Sequence, residues 1–249
     1  GAFRDVLSKD HARRGRPPLH FVDMTPEQRV EKAAELGLPK FRVKQLANHY
    51  FGHFDVNAAE FTDFPAAKRS EAAAAFFPRL ITEVTRQVAD EGTTIKTLWK
   101  LFDGSLIESV LMRYPTRTTL CISSQVGCGM DCPFCATGKL GLTRNMSTGE
   151  IIEQVRVAAK MMRDGEVAGG EGRLSNIVFM GMGEPMGHYN SVLFPPCLPK
   201  ASAFPRATSP YPRWAWSPAS RSSLPKAFPC VWPFPCMPPA TNCVTSWCR

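Results

Sequence analysis

Residues 117–135, RTTLCISSQVGCGMDCPFC, run from a β-like stretch straight into three closely spaced cysteines. Two further stretches complete the unit, STGEIIEQVRVAAKMMRD (147–164) and NIVFMGMGEP (176–185). The first opens on Ser147-x-x-Glu150, a capping box, and sets apolar side chains at 151, 155, 158 and 162, the spacing of one helix face. After a glycine-rich loop, GEVAGGEG (165–172), the apolar strand NIVFM passes directly into GMGEP. Residues 117–186 therefore read strand–loop–helix–loop–strand, one βαβ unit of a parallel α/β fold.

Working outward toward the N-terminus, TTIKTLWKLF (93–102) and SLIESVLM (105–112) alternate around Asp103-Gly104, a hairpin turn dipeptide. Before residue 92 the period is helical. TPEQRVEKAAELG (25–37) has Pro26 and Glu27 in its first turn and Gly37 as its stop. A second helix follows in FRVKQLANHYF (41–51), with Phe41, Leu46, His49 and Tyr50 available to pack. Asn57–Ala59 and the alanine-rich KRSEAAAAFFPRL (68–80) give one or two more. The predicted organisation is a basic arm (1–23), a helical accessory unit (24–91), and a hairpin leading into the βαβ region (92–190). A Pro/Cys-rich tail (191–249) follows. Lys40, Arg42, Lys44, Lys68 and Arg69 fall on polar faces of the helical unit, as solvated side chains or as an RNA-docking face.

Composition separates the tail from the rest. Of 249 residues, the last 59 hold 13 of the 22 prolines, 5 of the 9 cysteines and 4 of the 5 tryptophans, with no Gly, Asp or Glu. Loops need Gly for positive φ and soluble surfaces mix charge signs, so this composition is not that of a folded domain. The tail also supplies six basic residues of the net +8, leaving 24 basic against 22 acidic residues in 1–190. Charge alone is therefore a weak argument for a nucleic-acid partner. No apolar run reaches the roughly 18–20 residues a membrane span needs, and no basic-then-apolar signal segment is present, so a cytoplasmic location is expected.

Four of the first 190 residues are cysteine, all between 121 and 135, and three form Cys128-x3-Cys132-x2-Cys135. Spacings this short converge thiolates from one loop, and soft thiolates select zinc, copper(I) or iron–sulfur clusters. Three readings stay open on the residues alone. Disulfides are disfavoured without a secretion signal. A zinc site would recruit Cys121 as its fourth thiolate. A [4Fe–4S] cluster held by three thiolates would keep one iron open to a substrate or cofactor.

The CxxxCxxC spacing, with Phe134 before its last cysteine and GMGEP after the following strand, resembles the radical S-adenosylmethionine enzymes. CISSQVGCGMDCPFCATGKLGLTRNMSTGEIIEQV followed by NIVFMGMGEP narrows the resemblance to the bacterial adenine-C2 RNA methyltransferases of the RlmN type, which act on 23S ribosomal RNA and transfer RNA. The hairpin and the FRVKQL helix are similar to that family's N-terminal region, so the resemblance covers about residues 20–190. It implies an incomplete form of a partial (β/α)6 barrel with a small N-terminal helical domain. It also implies one [4Fe–4S] cluster on Cys128, Cys132 and Cys135, S-adenosylmethionine held near Gly183 and Glu184, Glu108 as proton acceptor, and Cys121 as the thiol that resolves a protein–RNA adduct by forming a disulfide. The implied partners are 23S rRNA, tRNA and an electron donor such as flavodoxin or ferredoxin, the implied state a monomer. By resemblance, one electron from the cluster cleaves S-adenosylmethionine, and the radical acts on a methylated cysteine near the C-terminus. Arg13, Arg14, Arg16, Lys139 and Arg144 are candidates for phosphate contacts. The related adenine-C8 methyltransferases share these motifs, and a metal-bearing RNA-binding fragment without activity is the alternative of another class.

After YNSVL (189–193) the resemblance stops. Codons can be chosen for CVWPFPCMPPATNCVTSWCR (230–249) so that a neighbouring frame reads LRLALSLHATGDELRDELVP, which is similar to the family's continuation. The tail is thus expected to be a shifted reading frame that is not natively folded. None of Cys197, Cys230, Cys236, Cys243 and Cys248 matches the methyl-carrying cysteine, and the chain as written is expected to be inactive.

Overall fold

The computed structural model describes residues 15–188. Arg13, Arg14 and the whole 191–249 tail lie outside the described residues.

Chemistry at the ends of the helices sets the first layer. Helix α1 (Pro26–Glu35) starts at Thr25, whose hydroxyl accepts from the Gln28 amide while the Gln28 side chain accepts from the Thr25 amide. Gly37, at φ +67°, lets the chain leave the helix in the left-handed region. Helix α2 (Phe41–Asn48) continues into a wide turn (His49–His53) that ends at Phe54, and α3 spans Ala66–Phe76. Their shared core is aromatic, built from Phe21, Tyr50, Phe51, Phe61, Phe64, Phe76 and Phe77. Two sequence expectations are corrected here. His20 to Val22 are buried in this core rather than part of an arm, and Phe41 is exposed on the helix surface.

The sheet begins earlier than expected. Strand β1 (Ile81–Ala89) lies inside the stretch read as helical, and pairs antiparallel with β2 (Thr94–Leu101). Its residues alternate poorly in burial because it is an edge strand, so the period of 2 was not visible. The hairpin reading is borne out: β2 pairs antiparallel with β3 (Leu106–Arg113), and Gly104 sits at φ +82° in the connection. Strand β4 (Thr118–Cys121) pairs antiparallel with β3. A small ribbon of β5 (Gln125–Gly127) and β6 (Leu142–Asn145) then leads to helix α4 (Thr148–Arg163) and β7 (Asn176–Val178). Strand β7 lies parallel to β4, so β4, α4 and β7 form the expected βαβ unit in a mixed sheet ordered β1-β2-β3-β4-β7.

Period-2 alternation gives that sheet two unlike faces. Ile95, Trp99, Ile107, Leu111, Leu120 and Ile177 are buried and pack with Ile151, Val155, Ala158 and Met162 of α4. The opposite face carries Lys96, Leu98, Glu108, Val110, Cys121 and Val178, all half-buried.

Helix α4 is more than amphipathic, since its other flank joins the helical layer. Ile152 packs into the aromatic core, and Glu153 accepts from the Tyr50 hydroxyl at 2.7 Å. Arg156 donates to Glu153 at 2.7 and 2.9 Å and to the Phe54 carbonyl at 2.8 Å. Burial alone would push the Glu153 carboxyl up, but the Arg156 guanidinium holds it below the usual range. The helix start is satisfied as well: Ser147 and Glu150 form the expected capping box, and Arg144 grips Glu150 with two bonds of 2.8 Å.

Candidate functional site

The chain leaves β4 at its C-terminal end through Ser123 and Ser124 before entering β5. C-terminal strand ends are where α/β sheets assemble ligand sites. Ser123 holds three segments together there. Its hydroxyl donates to the Glu108 carbonyl at 2.6 Å and accepts from the Met182 amide at 2.9 Å. Its backbone N–H and C=O are both satisfied at 3.0 Å by the buried Gln154 side chain of α4.

The GMGEP segment runs back along these residues. The Gly181 amide donates to the Ile122 carbonyl, and the amides of Ser124 and Gln125 both donate to the Met182 carbonyl. Two of its glycines are required by this approach. A Cβ on Gly181 would lie 2.7 Å from the Ile122 carbonyl oxygen, and one on Gly183, at φ +99°, would lie 2.7 Å from the Gln125 nitrogen. The Glu184 amide donates to Gln125 Oε1 at 2.8 Å, while its own carboxylate accepts from Met186 at 3.1 Å and caps the short turn Pro185–His188.

The three cysteines occupy the loop between β5 and β6. That loop is closed at its neck, where the Cys128 amide donates to the Gly141 carbonyl at 3.0 Å. A Cβ on Gly127 would stand only 1.9 Å from that same carbonyl, so glycine is required there. Within the loop the Cys135 amide donates to the Cys132 carbonyl, and Asp131 adopts φ +46°. Cys128 is buried, and Cys132 and Cys135 are half-buried. Among the described residues no three Cys, His, Asp or Glu side chains stand close enough together to hold a single metal ion. Three soft donors on one short, closed loop nevertheless have the chemistry a cluster needs. The rim is apolar: Met130, Phe134, Leu140, Leu142 and Met180 are exposed, Phe134 by 66%.

Glu108 and Cys121 share the half-buried sheet face. Val110 is opposite Cys121 in the ladder, so Glu108 is the diagonal neighbour of Cys121, a separation of roughly 7–8 Å between Cα atoms in a regular sheet. The Glu108 carboxylate is bonded to Lys96 at 2.9 Å. Burial pushes the Cys121 thiol up, against a hydrogen bond from the Met180 amide that favours the thiolate. The structure thus brings Glu108, Cys121 and the Gly183–Glu184 segment to one end of the sheet through Ser123, with the cysteine loop immediately beyond.

The phosphate-contact candidates fare unevenly. Arg16 and Lys139 are exposed. Arg144 is not available: its side chain is 11% exposed and is committed to Asp103 at 2.6 Å and to Glu150. The sequence reading also missed Ser123, Gln125, Asn145 and Gln154. The available signal was SSQ, three uncharged polar residues placed where an apolar strand ends.

Curated relatives extend far beyond motif similarity. The chain is 98% identical over 193 residues to a protein of Bifidobacterium longum named "Probable dual-specificity RNA methyltransferase RlmN", a match covering 78% of this chain and 50% of the relative. The matched part is RlmN-family sequence. A protein of the same name from Saccharopolyspora erythraea is 58% identical over 184 residues, covering 74% of this chain and 50% of the relative. A crystal structure of a radical SAM methyltransferase from Sphaerobacter thermophilus superposes with a TM-score of 0.64 at 40% identity, over 71% of this chain and 50% of that one. The chain therefore spans about half the length of the RlmN relatives it matches, and the 193 aligned residues equal about the length that precedes the composition break. No protein-family model matches the chain.

Proposed function

We propose that residues up to about 190 form the first half of a partial (β/α)6 barrel built to methylate C2 of adenine in 23S rRNA and tRNA. The observation that carries this reading is the Ser123 junction. It ties GMGEP and the strand bearing Glu108 to the end of β4, from which the chain runs on through β5 into the cysteine loop. When bound, a [4Fe–4S] cluster and S-adenosylmethionine supply the one-electron chemistry that an electron-poor amidine carbon demands.

The chain's own residues do the rest. Cys128, Cys132 and Cys135 would hold the cluster, and the Gly183–Glu184 segment would contact S-adenosylmethionine. Glu108, paired with Lys96 at 2.9 Å, accepts the proton from C2. Burial disfavours the Cys121 thiolate. Attack of Cys121 on the sulfur of the protein–RNA thioether would form the disulfide and break that sulfur's bond to the RNA-borne methylene, which takes up a proton to become the product methyl. Lys40, Phe41 and Lys44 are exposed together on α2 and offer cations and a stacking surface to RNA. The methyl-carrying cysteine belongs to the half of the relatives that this chain does not match, so the chain as written does not complete the transfer.

Anaerobic reconstitution of the full chain tests both parts. We expect about four irons with matching sulfide and a brown absorption band, lost on replacing Cys128, Cys132 or Cys135 by alanine, and no methyl transfer to 23S rRNA or tRNA. Zinc without colour would refute the cluster reading, and appreciable turnover would refute the inactivity.

A further inference from the structure

We propose that Gln125 is a positioning residue that sets the GMGEP segment against the cysteine loop. The proposal rests on the cluster and S-adenosylmethionine reading given above. Gln125 is 4% exposed and stands three residues before Cys128. Its backbone amide donates to the Met182 carbonyl at 3.2 Å. Its side chain bridges two segments: Oε1 accepts from the Glu184 amide at 2.8 Å and Nε2 donates to Asn145 Oδ1 at 2.7 Å. The orientation of this amide is fixed by chemistry, because a backbone N–H only donates, so the oxygen must face Glu184 and the nitrogen Asn145.

Asn145 is the register partner of Gln125 across β5 and β6, the two strands that carry the cysteine loop. One side chain therefore spans from the ribbon under the cysteines to the backbone of the segment beside them. Gly183 closes the contact from the other side, since a Cβ there would lie 2.5 Å from the Gln125 Cβ. A shift of either segment by a fraction of an ångström breaks one of the two side-chain bonds. Neither bond is needed to close the loop neck, which is made by Cys128 and Gly141. Loss of the bridge thus leaves the cluster ligands in place and lets the cofactor-contacting backbone drift from them.

The test uses the full chain, reconstituted anaerobically. The readouts are iron content, equilibrium dialysis of labelled S-adenosylmethionine, and the electron paramagnetic resonance signal of the reduced cluster with and without that cofactor. Gln125→Leu is expected to keep the parent's iron, to bind S-adenosylmethionine about tenfold more weakly, as loss of its hold on the Glu184 amide implies, and to lose the cofactor-induced change in the signal. Gln125→Glu can still accept from Glu184, and Asn145 can turn its amide to meet it, so this variant is expected to stay within about threefold of the parent. Asn145→Ala slackens the bridge without touching Glu184 and is expected to fall between the two; it decides the matter if Gln125→Leu does not fold. Parent-like binding in both Gln125→Leu and Asn145→Ala overturns the proposal. So does loss of iron in step with loss of cofactor, which is the behaviour of a merely structural residue. A parent chain that takes up no cluster or binds no S-adenosylmethionine overturns the underlying reading, and this inference with it.

Discussion

Replacing Glu153 by leucine is expected to cost the fold about 3–5 kcal/mol, the penalty for leaving one member of a buried ion pair uncompensated. The side chains of Glu153 and Arg156 are 8% and 9% exposed, so water cannot substitute for the lost partner. Glu153 accepts three bonds, one from the Tyr50 hydroxyl and two from Arg156, and Arg156 would retain only the Phe54 carbonyl. Against a total stability of about 5–15 kcal/mol for a typical domain, this is a large fraction. The double variant Glu153→Leu/Arg156→Met removes both charges and should recover part of the loss, leaving the Tyr50 hydroxyl and the Phe54 carbonyl to be accounted for. Urea unfolding followed by far-ultraviolet circular dichroism gives the values. The exposed pair Lys68–Glu71 serves as a control, with Glu71→Ala expected to cost less than about 1 kcal/mol. A Glu153→Leu cost as small as that control would refute the claim that α4 is clamped by a buried ion pair.

Burial lowers the pKa of His20 from 6.5 to about 4, against the pull of Glu153 and with help from Arg156 and Arg29. A histidine kept neutral in the fold contributes stability above its unfolded pKa and loses it as pH falls. The unfolding free energy from urea titration should therefore drop between pH 6.5 and about 4, by on the order of 3 kcal/mol in all, and His20→Gln should flatten that slope. Gln154→Leu orphans both backbone groups of Ser123, and at about 1–3 kcal/mol each it should cost roughly 2–6 kcal/mol in the same assay. Gly127→Ala drives a methyl into the Gly141 carbonyl and should strip most of the iron from the reconstituted chain. Gly129→Ala, whose methyl would meet only the Leu142 side chain at 3.6 Å, should keep it; equal iron in the two would refute the role given to the loop neck.

The βαβ unit was legible because its signals are local: the capping box at Ser147 and Glu150, one apolar helix stripe, and an apolar strand ending in glycines. Strand β1 was not, because an edge strand with one partner shows little alternation in which residues are hidden. Arg144 was misread as a phosphate contact for a related reason. Its partners Asp103 and Glu150 are 41 and 6 residues away, and nothing in an arginine's immediate neighbours says that two carboxylates will enclose it. The candidate site was legible as motifs, from Cys128 to Glu184, whereas the side chains that join those motifs were not. Ser123, Gln125 and Gln154 carry no charge and act through backbone groups 15 to 59 residues away, so their roles exist only once the strands are assembled.

The bond from Tyr50 to Glu153 spans 103 residues of chain. During synthesis the helical layer emerges first, yet its aromatic core lacks Ile152 and its tyrosine lacks an acceptor until α4 has left the ribosome. Contacts of such long sequence separation form late, and the loop that must close to make them is entropically costly. The nascent helices are therefore expected to remain loosely packed until about residue 156 is available, and then to consolidate together with the sheet in one step. A chain ending before residue 148 should bind the dye that reports exposed apolar surface, while one ending at residue 188 should not do so to the same degree.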